Sequence, residues 1–481
     1  MDKKIDTETG GMDAQSSDIL QHSYKYILLV FAFIASSLNM AARSQQQAAD
    51  IAARFLNSLP STSDTVKGTR THKSTALSLA HTRYILQEDS EAVTPIVAFY
   101  VFNQADGGYA IVSAIDGTPD ILVYSDKDTF CADRLNPGFA FWLNMLQEEL
   151  SAVQQQKNYT VRTDSKTSPI APLLVNDRGE AINWHQLEPY NSLCPTNYLT
   201  GEQCATGCVA TAAGMVLAKW RYPEQGIGQK TIYWQDIRPS NESSILQNEF
   251  VELTADFQNT HYDWNNMLPT YLGVETTPEQ KTAVATLLYH LGIASEMVYD
   301  IAEAGGSGTY TDYMAAGLEE HFDYRYDKFV STLSEEEYTC YGTFPSHAHT
   351  SEWNVTKDQL ADFFNADLEA GRPIIVGGED KNDGHQFVCD GRDERGYFHF
   401  NWGWNGSGNN YCLLTSLIPE GQKTNFSLCI DAIIGLEPKF TPTDITSAPS
   451  SSRPATKTLR NGKLLIHHND KTYNAQGIHV K

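Results

Sequence analysis

Residues Gly201 to Pro223 read "GEQCATGCVATAAGMVLAKWRYP", with Cys208 at their centre. From Cys208 onward, Val209, Ala212, Ala213, Val216, Leu217 and Trp220 recur at the spacing of one helix face. Arg221-Tyr222-Pro223 ends the pattern, because proline cannot continue the hydrogen-bond ladder. The spacing therefore predicts a helix that starts at or next to Cys208, after the loop marked by Gly201 and Gly207. At a helix start, N–H groups without intrahelical partners and the positive end of the macrodipole favour a thiolate. Cys208 is the candidate nucleophile. The competing reading, a small buried hydrophobe on an alanine-rich helix, gives Gly207 no particular purpose.

The chain has 481 residues, which predicts two or three units. Its formal charge of -24 argues against nucleic-acid binding, since phosphate affinity comes from Lys and Arg. The apolar run Ile27 to Leu38 follows Lys25 and precedes Ala41-Ala42, which reads as a secretory signal cut near there; a signal anchor is the rival. No stable membrane span is expected after processing. Eight cysteines in so long a chain do not make a disulfide scaffold. Cys204 and Cys208 alone do not complete a zinc set, so neither a metal nor an organic cofactor is expected.

In chain order, Gln45 to Leu59 has helical spacing. Val97 to Asn103 and Tyr109 to Ser113 read as strands about the turn Asp106-Gly107-Gly108, with Ile121 to Tyr124 a third strand and Phe139 to Val153 a helix. The polar stretch Asn158 to Pro172 reads as a linker open to proteolysis, with Lys166 a candidate neighbourhood for the cut. Pro278 to Leu291 and Tyr310 to Phe322 read as helices. The run Ala304-Gly305-Gly306-Ser307-Gly308 between them reads either as the border of a cleft or as a solvent loop. Residues 358–369 predict a helix and Pro373 to Val376 a buried strand. His385 to Asp390 and Tyr397 to Trp402 predict a hairpin. Thr441 to Thr456 is a Ser/Thr/Pro linker before a basic tail. The boundaries drawn are 1–43 for targeting, 44–165 for a small α+β unit, 166–438 for the main domain and 439–481 for linker and tail.

A nucleophilic cysteine needs an imidazole, and the imidazole needs a group that holds its tautomer. Of fourteen histidines, the hairpin favours His385. With Asp393 at the turn centre, His385 and Asn401 become direct cross-strand neighbours, their Cβ atoms about 4.5–5.5 Å apart. The Asn401 oxygen then accepts from one ring nitrogen and leaves the other for the thiol. His399 shares the hairpin and the parity and is the internal competitor. Gly384 favours His385, since a small neighbour at a strand mouth leaves room for substrate. Gly384, Gly207, Gly305 and Ser307 are the candidate substrate-binding positions.

These motifs, "ATGCVATA", "DWNNMLPTY", "GHQFVCDG" and "FNWGW" in this order, resemble those of streptopain-type cysteine peptidases, and the likeness runs from about 166 to 436. The segments "YVFN", "GGYAIVS" and "DILVYS" resemble the inhibitory propeptide of that family. The resemblance implies an α+β, papain-like fold with two lobes: a helical lobe carrying the cysteine and an antiparallel β lobe carrying the histidine. It implies a secreted or cell-surface bacterial zymogen that removes its own propeptide and cleaves proteins and peptides, with a preference for hydrophobic residues two positions before the cut. Cys208 is then the nucleophile and His385 the base and acid, with Asn401 and Trp402 beside it. The oxyanion glutamine expected six residues before the cysteine is displaced: position 202 is Glu202, and Gln203 is the candidate donor. Gln386 stands where a small residue is expected. Cys194 and Cys204 form a candidate disulfide, and the tail is similar to short C-terminal modules of secreted bacterial proteins. Two rivals remain: an amidase or acyltransferase acting on cell-wall peptides with the same pair, and a silent adhesin on the same fold.

Overall fold

The computed structural model of the chain describes residues 43–59, 76–89, 92–155, 167–239, 246–339, 346–379, 384–414 and 429–439, together with four backbone strands between 456 and 480. The signal segment, the first part of the expected linker after 155 and the Ser/Thr/Pro stretch lie outside the described residues. Among those described, no helix is long and apolar enough to cross a membrane.

The helices are α1 (Gln45–Ser58), α2 (Pro137–Gln155), α3 (Cys208–Trp220), α4 (Pro278–Ala294), α5 (Thr311–His321), α6 (Glu335–Thr339) and α7 (Lys357–Glu369). Those of the central sheet's N-terminal half are β1 (Leu77–Asp89), β2 (Ala92–Gln104), β3 (Tyr109–Ser113) and β4 (Ile121–Ser125). A separate hairpin pairs β5 (Gln229–Pro239) with β6 (Leu246–Asp256), and β7 is Tyr324–Arg325. The second half of the sheet contains β8 (Lys328–Ser331), β9 (Ser351–Glu352), β10 (Ile374–Glu379), β11 (Gly384–Arg392), β12 (Phe398–Asn401), β13 (Asn410–Cys412) and β14 (Cys429–Ile434).

Eleven strands form one sheet in the order β1-β2-β3-β4-β13-β12-β11-β10-β14-β8-β9. All its pairs are antiparallel except β8 with β9. The N-terminal strands thus continue the C-terminal sheet, joined where β4 pairs Tyr124 with Tyr411 and Val123 with Cys412. Strand alternation sends Ile375, Val388 and Ile433 to the face covered by α3, α4 and α5. Val376, Phe387 and Ala432 go to the opposite face, under α2 and α7. A buried ion pair between Glu149 of α2 and Lys357 of α7 ties the two covering helices together. Helix α1 lies on β2, β3 and β4 through Ala48, Ala52 and Leu56.

Local chemistry explains most of these boundaries. Ser44 with Gln47, Thr277 with Gln280, and Thr356 with Gln359 form capping boxes on α1, α4 and α7. Helix α3 has no such cap: its N-cap is Gly207. The long hairpin β5–β6 has no counterpart in the sequence reading. Its strands alternate buried Trp234 with exposed Tyr233 and Phe250 in a polar background, so the apolar run that usually announces a strand is missing.

Candidate active site

The expected helix starts at Cys208 itself. Gly207 has φ +86°, a backbone conformation that side chains rarely adopt. A Cβ there would sit 2.7 Å from Met297 Sδ and 2.9 Å from the Ser307 carbonyl oxygen. Thr211, one turn on, donates its hydroxyl to Gly207 O at 3.0 Å and closes the first turn. Cys208 is partly exposed, whereas Cys194, Cys204, Cys389 and Cys412 are buried free thiols. Burial, with Asp300 and Asp236 nearby, pushes the Cys204 thiol up to about 12. Burial also raises Cys194, Cys389 and Cys412. These thiols are chemically quiet. The candidate Cys194–Cys204 disulfide is accordingly not present.

His385 is buried near the start of β11, and its Nε2 donates to the Trp402 carbonyl oxygen at 2.9 Å. That bond replaces the expected one to Asn401. The hairpin register places Asn401 opposite Val388, three residues from the expected partner. A bulge between Cys389 and Gly391, and a turn closed by Asp393 N to Tyr397 O, supply the difference. An odd shift moves Asn401 to the other face of the sheet. There its Nδ2 donates to Ile182 O at 3.0 Å and Asn183 Oδ1 at 3.1 Å, and its Oδ1 accepts from Gly403 N at 3.1 Å. His399 is held on Asp390 Oδ1 at 2.6 Å and lies edge-on to Tyr411.

Trp402 is fully buried, its ring 4.6 Å from that of Phe387. The next residue, Gly403, has φ +73° and would bring a Cβ within 3.3 Å of Thr211 Cγ2. A continuous path therefore joins the two halves: Cys208 and Thr211 share a face of α3, Thr211 meets Gly403, and the neighbouring Trp402 carbonyl holds His385.

Other expected positions have different roles. The Gln203 amide donates to the Cys194 carbonyl, which commits it to the loop instead of an oxyanion. Ser307 is buried and donates to Ala205 O at 2.6 Å while accepting from Asp300 N at 3.0 Å, so it pins the loop before Gly207 and does not face substrate. Gly305 is exposed, with open space around it. Gly384 is exposed at the mouth of β11, opposite Glu379.

Sequence reasoning missed the strap Ile182 to Gln186. Besides receiving Asn401, it accepts Asn405 N at Trp184 O and Thr206 N at Gln186 O, tying the Trp402 turn to the loop before Cys208. His185 packs edge-on to Trp404, and burial lowers its basicity. The aromatic cluster "INWHQ" was the signal available.

The N-terminal half reaches the site through α2. A Cβ on Gly138 would be 2.7 Å from Trp402 Cε3, 3.1 Å from His385 Nε2 and in hard overlap with His385 Cδ2. Phe139 and Trp142 pack on Trp402 at 5.9 Å and 6.3 Å. Asn136 caps this helix by accepting from Phe139 N at 2.8 Å, and donates to Ser407 O at 3.2 Å.

Residues 184–412 match the peptidase C10 family, and residues 41–150 match the Spi protease inhibitor family. Streptopain of Streptococcus pyogenes is 28% identical over 352 residues, covering 70% of this chain and 80% of its own. The thiol protease/hemagglutinin PrtT of Porphyromonas gingivalis is 29% identical over 355 residues, 71% of this chain, but the match spans 37% of PrtT. A solved fragment of Prevotella intermedia prointerpain A, a cysteine-to-alanine mutant, is 32% identical with a TM-score of 0.55; the match covers 75% of this chain and 100% of the fragment. The chain belongs to the peptidase C10 family, the streptopain-type cysteine peptidases, and carries a Spi-like domain ahead of its peptidase domain.

Proposed function

We propose that the chain is a secreted cysteine endopeptidase made as a self-processing zymogen, with Cys208 and His385 as its catalytic pair. The observation that carries this reading is the path from Cys208 through Thr211 and Gly403 to the Trp402 carbonyl that holds His385 Nε2. A carbonyl only accepts, so Nε2 carries the proton and Nδ1 is the nitrogen that takes the thiol's proton. Cys208 gives its proton to Nδ1, and the thiolate attacks the scissile carbonyl carbon. The tetrahedral oxyanion is held by the N–H groups at the start of α3, a term usually worth about 100- to 1000-fold in rate. The imidazolium then protonates the leaving amine. Neutral His385 next takes a proton from water, whose oxygen displaces the thiolate from the acyl-enzyme. Trp402 contributes its carbonyl and its packing. A preference for hydrophobic residues two positions before the cut belongs to the same reading.

The Spi-like half acts as the inhibitor. Helix α2 occupies the face of the sheet where His385 lies, and Gly138 confines the ring. Cutting in the segment after residue 155 frees that half.

Intact mass of the exported protein, before and after incubation, tests the proposal. Cys208→Ala should persist as the unprocessed precursor, and an epoxide thiol inhibitor should add one adduct at Cys208 in the processed wild type. His385→Ala should abolish cleavage of denatured protein, while His399→Ala should retain it. Turnover of peptidoglycan fragments without cleavage of protein would favour a cell-wall amidase, and absence of an adduct would favour a silent module.

A further inference from the structure

A buried polar row crosses the sheet beside His385, on the face that carries the Cys208 helix. Gln386 of β11 and Asp431 of β14 are each direct cross-strand partners of Gly377 in β10. Because Gly377 has no side chain, the groups on either side meet above it. Gln386 Nε2 donates to Thr311 Oγ1, and Thr311 Oγ1 donates to Asp431 Oδ1 at 2.6 Å. A Cβ on Gly377 would lie 2.7 Å from Thr311 Oγ1 and closer still to Asp431 Oδ1.

These residues are 3% exposed at Gln386, 1% at Thr311 and 0% at Asp431. Gln386 Oε1 has no hydrogen-bond partner among the described residues. Burying such groups is costly, and the same sheet face is filled elsewhere by Ile375, Val388 and Ile433. Apolar packing alone would be met more cheaply by an apolar row. The placement suggests what the row does instead.

Gln386 follows His385 directly, and among the described residues Gly384 and His385 precede it in the ladder with β10. Thr311 opens α5, four residues after Ser307. Ser307 in turn holds Ala205 O and backs Gly207. The hydroxyl of Thr311 therefore sits where the segment that buttresses the nucleophile meets the strand that carries the base.

We propose that Thr311, together with Gln386 and Asp431, is a positioning element that fixes the His385 end of β11 relative to the Cys208 loop. The proposal rests on the Cys208–His385 reading above. Its effect is on the alignment of base and thiol, which governs turnover more than substrate affinity.

The test uses the processed enzyme and a fluorogenic peptide. Thr311→Val keeps the side-chain volume and removes the hydroxyl; kcat should fall about 10- to 100-fold with KM changed less than about two-fold. Thr311→Ser should restore kcat to within about three-fold of wild type, which a loss of packing would not allow. If Thr311→Val does not accumulate, Gln386→Met, which drops the amide donor at similar volume, carries the same expectation. Wild-type kcat in the hydroxyl-free variant, equal impairment of the Ser and Val variants, or a change confined to KM each overturns the proposal. A wild-type protein that cleaves no peptide overturns the peptidase reading itself, and the positioning role with it.

Discussion

The two halves of the site are held by different means. Cys208 is set by Gly207 and the first turn of α3, on a loop that Ser307 and Met297 back from within the peptidase domain. His385 depends on groups far along the chain, the Trp402 carbonyl, Gly138 of α2 and the hairpin register. One wall around His385, at Gly138, comes from the Spi-like domain, whereas the contacts named for Gly207 come from the peptidase domain. Removing the N-terminal half should therefore change the surroundings of His385 and leave those of Gly207 in place. Substitutions in each half should separate accordingly.

The largest effect is expected at Gly207. A side chain there must adopt φ +86° while overlapping Met297 and the Ser307 carbonyl. Strain and overpacking of this kind cost about 3 kcal/mol or more. Gly207→Val should lower the urea midpoint accordingly and reduce kcat/KM at least about 100-fold by tilting the start of α3. Near-normal turnover in this variant would mean that the glycine does not set the nucleophile.

A second difference concerns acid. In the helical half, burial lowers His290 to about 4, against a weaker opposing pull from Asp256, and its Nδ1 is hydrogen-bonded to Tyr262 at 3.0 Å. The unfolded chain binds this proton near pH 6.5 and the folded chain only near 4. Its contribution to stability is thus complete above about 6.5 and is lost progressively as the pH falls toward 4, by about 3 kcal/mol at most. His290→Gln should flatten that part of the curve of stability against pH. An unchanged acid slope would remove His290 as its source.

The contrast between the halves also explains what could be read from the sequence. Cys208, its helix and its glycine were legible because helix periodicity and a helix start are local. Helices near 45–58, 137–155, 278–294, 311–321 and 357–369 were legible for the same reason. The hairpin strands were legible too, but their register was not: one bulge at Asp390 turned Asn401 away from His385. Gln203 was a candidate because the family resemblance expects an oxyanion glutamine one position earlier, and Ser307 because it sits in a glycine loop, yet both side chains donate to backbone carbonyls. The use of the Trp402 carbonyl had no signal at all, since a backbone acceptor is the same at every residue. The strap Ile182 to Gln186 announced itself only as an aromatic cluster, and its bonds could not be read because they join segments about 220 residues apart.

The smallest effect is expected in the sheet half, at Gly138. Its φ is unexceptional, so the cost of an added methyl lies in what it meets first, the ring of His385 and the edge of Trp402. The imidazole can turn aside, while Trp402 is locked among Phe387, Phe400 and Trp142. Overpacking of this kind costs about 1–3 kcal/mol, and because it arises only when α2 is docked, it weakens docking. About 1.4 kcal/mol would raise the undocked population ten-fold, and self-processing limited by that population would quicken by the same factor. Gly138→Ala should therefore mature about ten-fold faster in a time course of intact mass. Residue 138 precedes the cut, so the processed enzyme should show wild-type kcat and KM, the reverse of the result at Gly207. A normal maturation rate would mean that the close fit of α2 around His385 does not govern latency.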